Sequence, residues 1–122
     1  MAKKIMVVDD SNAIRQSLVF TLKNAGYDAI EASNGAVALN LMKQCSVGLF
    51  ISDVNMPEMD GITLLKKIKE DVSYKHTPVI MLTTESSMDM IESAKQAGAK
   101  AWIIKPFQPE QLIDAVKKLF VN

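Results

Sequence analysis

The chain has 122 residues, room for one domain with a single core and too few for two of ordinary size. Its 14 basic and 14 acidic side chains cancel, which excludes the electrostatic footprint of a nucleic-acid binder or of a protein held on an anionic membrane, and no apolar run nears the roughly 18 residues of a membrane span. A single cysteine, Cys45, excludes a disulfide framework and suits a reducing, cytoplasmic compartment.

The opening Met1-Ala2-Lys3-Lys4 carries no signal peptide and leads straight into a strand, Lys4-Ile5-Met6-Val7-Val8. Asp9-Asp10-Ser11-Asn12 follows, a polar cluster able to cap a helix. Ile14, Leu18, Leu22 and Ala25 then recur at helical spacing, and Gly26 stops them. Residues 27–32 form a second, more polar strand suited to a sheet edge. Ser33-Asn34-Gly35 turns into a helix whose inward residues are Val37, Leu41 and Met42. Cys45 is read as a small buried thiol near the end of that helix.

Leu49-Phe50-Ile51 has no polar face, the mark of a strand covered by helices on both sides in a parallel sheet. It delivers Ser52 and Asp53 to the sheet edge. Met56-Pro57 and Asp60-Gly61 then make a turn, because the residue before a proline avoids αR and glycine tolerates positive φ. Ile62, Leu65 and Ile68 mark a third helix. The polar connection 71–77 contains His76, a lone histidine without a partner motif and therefore read as an exposed loop residue.

Val79-Ile80-Met81-Leu82 is a fourth buried strand, ending in Thr83-Thr84-Glu85-Ser86-Ser87. The fourth helix runs to about Gly98, with Met90, Ala94 and Ala97 facing the core. Ala101-Trp102-Ile103-Ile104 is a fifth strand, which ends in Lys105-Pro106-Phe107. A last helix from Pro109 carries Leu112, Val116 and Leu119 inward. Strands alternating with helices through short crossovers call for a doubly wound α/β fold with a five-stranded parallel sheet, without linker or internal repeat.

In such sheets ligands bind beyond the carboxyl ends of the strands. Those ends here present Asp9 and Asp10, Asp53, Thr83 and Thr84, and Lys105. Three carboxylates, a hydroxyl and an ammonium, with no imidazole or thiol, suit a hard cation such as Mg²⁺ rather than zinc. At roughly 5 Å and an effective dielectric near 20, each like-charge pair costs about 3 kcal/mol. A cluster so poor for stability argues for function. Separately, each group has a plain structural reading: Asp9, Asp10 and Ser11 as caps, Thr83 as a strand end, Lys105 as a surface lysine. Their joint appearance at successive apolar strand ends does not. Phosphoryl transfer, which asks for positioning and charge neutralisation, fits this set, with Asp53 as a covalent acceptor.

Four motifs carry a resemblance over the whole chain: Val7-Val8-Asp9-Asp10-Ser11, Ser52-Asp53-Val54-Asn55-Met56-Pro57 with Met59-Asp60-Gly61, Leu82-Thr83-Thr84-Glu85, and Lys105-Pro106-Phe107. Together they resemble the receiver domain of two-component response regulators, in its stand-alone, CheY-like chemotaxis form. The resemblance implies a flavodoxin-like (β/α)5 fold with strand order 2-1-3-4-5 and one receiver domain over residues 1–122, without an output domain. It implies that Asp53 accepts a phosphoryl group from a sensor histidine kinase. Asp9, Asp10, Asp53 and the backbone carbonyl of Asn55 would surround Mg²⁺, Lys105 would pair with phosphoryl oxygens, and Thr83 would move to bond one of them. A cis Lys105-Pro106 bond belongs to the same pattern.

Where that pattern places a switching Tyr or Phe, this chain has Trp102, which either turns inward with Thr83 or stays as a packing residue. Thr84 is bulkier than usual beside the switch threonine and would prolong the phosphorylated state, whereas Asn55 and Glu85 stand where they would help attacking water. Met88, Ile91 and Lys95 on the fourth helix are the candidate docking face for a downstream target, the flagellar motor or another effector. A phosphatase is a further candidate partner, and the protein is expected to be a monomer.

Two rivals share parts of this inventory. A haloacid dehalogenase-type hydrolase also uses an aspartate nucleophile with Mg²⁺, but expects an acid two residues later, where this chain has Asn55, and a cap or a longer chain. A flavodoxin-like nucleotide or flavin carrier would want a glycine-rich anion loop where this chain has Asp9-Asp10-Ser11-Asn12.

Overall fold

Runs that lack a polar face have to be covered on both sides, and the computed structural model, which describes residues 3–120, places them at the centre of a sheet. Met1-Ala2 and Val121-Asn122 lie outside the described residues. The elements are β1 (Lys4–Val8), α1 (Asn12–Asn24), β2 (Ala29–Ala32), α2 (Gly35–Leu41), β3 (Val47–Ser52), α3 (Gly61–Glu70), β4 (Val79–Thr83), α4 (Met88–Ala97), β5 (Ala101–Ile104) and α5 (Pro109–Leu119). All neighbouring strands pair in parallel, in the order β2-β1-β3-β4-β5. Every residue of β3 and β4 is buried.

Alternation along the strands divides the core into two layers. Ile5, Val7, Leu49, Ile51, Ile80 and Leu82 meet Leu18 and Leu22 of α1 and Leu112 and Val116 of α5. Met6, Val8, Phe50 and Met81 meet Ala38 of α2, Leu65 and Ile68 of α3 and Ala94 of α4. Because the chain moves outward from β1 to β2 on one side and on to β3, β4 and β5 on the other, the loops after β1 and β3 part and open a crevice at the carboxyl edge. Among the described residues no helix is long and apolar enough to cross a membrane.

Local signals end the helices where the sequence places them. Ser11, Asn34, Asp60 and Ser87 each accept a hydrogen bond from a backbone amide of the first turn that follows. Gly98 closes α4 at φ 111°, a left-handed conformation that glycine adopts at little cost.

Five details differ from the sequence reading. Val37 is exposed; the short α2 turns Ala38 and Met42, four residues apart, to the core and leaves Leu41 half-buried. Ala25 is exposed, since its amide closes α1 on the carbonyls of Thr21 and Leu22 instead of continuing the apolar stripe. Regular pairing of β2 starts at Ala29, two residues later than expected, while the ring of Tyr27 turns edge-on to Phe120. Cys45 is half-buried rather than buried, because it lies in the turn between α2 and β3. In the turn after Asp53 the left-handed residue is Glu58, at φ 68°, and not Gly61. Gly61 is needed for another reason: a Cβ there would lie 1.9 Å from the carbonyl oxygen of Asp53.

Candidate functional site

Val8 and Ser52, the last residues of β1 and β3, are register partners, so the residues that follow them emerge side by side. The Asp53 amide extends that ladder by donating to the Val8 carbonyl (3.0 Å), and the Asp9 amide donates to Ala32 at the end of β2 (3.2 Å). Asp9 and Asp53 are buried and Asp10 is exposed. Carboxylate oxygens of the three lie within 4.8 Å of one another.

Each buried acid is oriented through one oxygen by backbone amides. Asp53 Oδ1 accepts from Val54 (2.7 Å) and Asn55 (3.3 Å), and Asp9 Oδ1 accepts from Ser11 (2.9 Å). The other oxygen of each faces Lys105, whose Nζ lies 2.7 Å from Asp9 Oδ2 and 3.1 Å from Asp53 Oδ2. Burial alone would lower the Lys105 pKa; its hydrogen bonds to Asp9 and Asp53, and their charges, outweigh that and raise it above the ordinary value. Lys105 reaches the acids from the end of β5, anchored by its amide on the Thr83 carbonyl (2.9 Å) and followed by the cis bond to Pro106.

Three carboxylates against one ammonium leave the cluster with an excess of negative charge. All its donors are oxygens, and no histidine or cysteine belongs to the group. That donor set fits Mg²⁺, which takes one or more carboxylates and keeps several waters.

Thr83 ends β4 fully buried, and its hydroxyl oxygen accepts from the Glu85 amide at 3.2 Å. The Glu85 carbonyl in turn accepts from Nε1–H of half-buried Trp102 at 2.9 Å. One residue, Glu85, thus lies between the hydroxyl at the site and the indole on β5, its amide on one side and its carbonyl on the other. Thr84 is exposed and Glu85 half-buried, while exposed Asn55 enters the site through its amide. Ile91 and Lys95 line a cavity of about 30 Å³ together with Trp102. Met88 is 77% exposed and does not line it. His76 is exposed, as its loop position implies.

Two residues build the site in ways that their motifs do not announce: Gly61, quoted above only as a turn residue of the motif, and Arg15, which lies in none. Gly61 lets the chain after the turn pass against the Asp53 backbone, where its amide donates to the Val54 carbonyl (2.8 Å). Arg15 binds the carbonyl of Asp9. The available signal for Arg15 was a cation in the first turn of a helix, where the macrodipole disfavours it unless a local acceptor compensates.

Residues 5–117 match the family model described as the response regulator receiver domain. The chain is 36% identical over 118 residues to the chemotaxis protein CheY of Pseudomonas aeruginosa, covering 96% of this chain and 95% of that one. It is 40% identical over 111 residues to the chemotaxis protein CheY1 of Helicobacter pylori, covering 89% and 90%. Among solved structures, Vibrio cholerae CheY4 superposes with a TM-score of 0.93 at 39% identity, covering 98% of this chain and 100% of that one.

Proposed function

The chain belongs to the family of response regulator receiver domains, and we propose that it acts as a response regulator in chemotaxis or motility control, carrying a phosphoryl group on Asp53. The observation that carries this reading is the single ammonium of Lys105 set between two buried carboxylates, with a third in reach. A structural ion pair needs one acid; this one is overloaded with anions.

A sensor histidine kinase is the phosphodonor. An oxygen of Asp53 attacks phosphorus while the phosphorus–nitrogen bond of the phosphohistidine breaks, and the imidazole leaves with the bonding electron pair. The amides of Val54 and Asn55 hold the carboxylate in place for this attack. Lys105 exchanges its contact with Asp53 for a phosphoryl oxygen and keeps Asp9. The Thr83 hydroxyl turns from accepting the Glu85 amide to donating to a second phosphoryl oxygen. Asp9, Asp10, Asp53 and the Asn55 carbonyl are the groups that would hold Mg²⁺, which when bound neutralises charge on the transferring group.

The acyl phosphate so formed is open to water on the side of Asn55, Thr84 and Glu85, and those three side chains set its lifetime. A separate phosphatase would act there too. Release of the Glu85 amide loosens the peptide that holds the Trp102 indole, so the signal passes to α4 and β5, where Met88, Ile91 and Lys95 form the face for a downstream protein.

Incubation with a small phosphodonor and Mg²⁺, followed by intact mass, tests the assignment. One phosphate adduct is expected, and none in Asp53→Asn. An adduct that persists in that variant sinks it.

A further inference from the structure

Asp10 is the exposed member of the acid cluster, and among the described residues no hydrogen bond or ion pair reaches its carboxylate. Asp9 and Asp53 are each gripped through both oxygens. What aims Asp10 is therefore the backbone that carries it, and one residue grips that backbone from outside the cluster. Arg15 Nη1 donates to the carbonyl oxygen of Asp9 at 2.6 Å. That carbonyl belongs to the peptide joining Asp9 to Asp10, so its direction sets the plane from which Asp10 departs.

The guanidinium is itself fixed on two further sides. Nε donates to Glu31 Oε1 on β2 (3.1 Å) and Nη2 to Asn12 Oδ1 at the start of α1 (3.1 Å). Arg15 thus spans three segments with a planar fork, which a lysine's single ammonium does not reproduce. The Arg15 side chain is 13% exposed against 41% for Glu31, so this is not a loose surface pair. Its own Asp9-facing nitrogen binds a backbone atom and leaves every carboxylate of the cluster free for other partners.

We infer that Arg15 is a positioning residue for the divalent cation, locking the Asp9–Asp10 peptide so that the otherwise unheld Asp10 carboxylate points into the cluster. This rests on the Mg²⁺-assisted reading given above. Groups that orient ligands from one bond away typically change metal affinity by 10- to 100-fold when removed.

Electrostatics and positioning predict opposite signs, which makes the test decisive. Removing a cation beside a cation site, and leaving Glu31 unpaired, raises Mg²⁺ affinity if charge alone matters. Loss of the peptide lock lowers it. Mg²⁺ titration by calorimetry on the full chain should show about tenfold weaker binding in Arg15→Gln than in the parent. Circular dichroism at the titration temperature establishes that the variant is folded. Asn12→Ala removes one support of the guanidinium without changing charge, and is expected to weaken binding by about two- to threefold, a fraction of the same range; it serves if Arg15→Gln does not fold. Equal or tighter binding in the folded variant overturns the inference while leaving the acid site intact. A parent that takes up no Mg²⁺ overturns the underlying reading as well.

Discussion

The acid side of the carboxyl edge and its β4–β5 side are held by different kinds of bond. On the acid side, Asp9 and Asp53 are gripped by a half-buried ammonium and by backbone amides, all of them charge-assisted. On the other side, Thr83, Glu85 and Trp102 are joined by two neutral bonds through one loop residue, 3.2 and 2.9 Å long. Neutral bonds of that kind contribute only about 1 kcal/mol each, and those to charged groups about 1.5–3. Under the function proposed above, the amides and Lys105 would keep Asp9 and Asp53 placed while charge is loaded onto the acid side, and the more weakly held Thr83–Glu85–Trp102 side would rearrange further.

The largest effect that would test this contrast comes from the ammonium. Lys105→Met leaves two buried carboxylates without their cation, and should cost about 3 kcal/mol in urea unfolding without divalent cation, the low end for breaking a buried ion pair. Mg²⁺ should restore part of it, whereas an unchanged midpoint would mean that the acid side is not held by charge. The pH dependence has a fixed sign. The folded-state pKa of Lys105 lies above its ordinary value of 10.5, so its contribution is complete below that value and is lost as pH rises through the folded one. The parent should lose stability more steeply than Lys105→Met in that alkaline window.

A smaller effect of opposite sign is expected at Asp10. Lys105 reaches Asp9 and Asp53 but not Asp10, so the third carboxylate keeps its repulsion from the other two. It is exposed, and water screens most of the 3 kcal/mol that a buried pair would feel. Without Mg²⁺, Asp10→Asn should gain about 1 kcal/mol, read as a higher melting temperature. With saturating Mg²⁺ the order should invert, because the parent alone keeps all three oxygens for the cation. A variant that melts no higher without Mg²⁺ would count against a strained cluster.

The same contrast explains what was legible in the sequence. Buried strands announce themselves by apolar runs, and the rule that ligands sit beyond their carboxyl ends brings Asp9, Asp53, Thr83 and Lys105 together without coordinates. Chain path is not announced. Gly61 reads as a flexible turn residue, yet φ there is ordinary and the constraint is the nearness of Asp53 across the turn. Arg15 draws no notice in the sequence, because its three acceptors come from Asp9, Asn12 and Glu31 and only the fold brings them to one guanidinium. In α2, only 7 residues long, Val37 and Ala38 fit the inward stripe equally well until β1, β2 and α3 fix the rotation. Trp102 could be recognised as a departure, but whether its ring nitrogen meets an acceptor depends on where the β4–α4 loop lies.

The smallest predicted effect concerns that bond. Trp102→Phe keeps an aromatic ring and deletes Nε1–H, so the Glu85 carbonyl loses one donor. The residue is half-buried and water can replace the bond, which puts the stability loss at about 0.5–1 kcal/mol. The functional effect should be larger than the energetic one. Trp102 is the only tryptophan, and its emission should shift when Asp53 is phosphorylated, because it binds the carbonyl of Glu85, the residue whose amide Thr83 would release. Thr83→Ala separates cause from proximity. It leaves Asp53 and Lys105 in place, so the phosphate adduct should still form by mass, but the emission shift should disappear. An unchanged spectrum in fully phosphorylated parent would make Trp102 a packing residue, and a shift that survives in Thr83→Ala would place the coupling outside the Glu85 peptide.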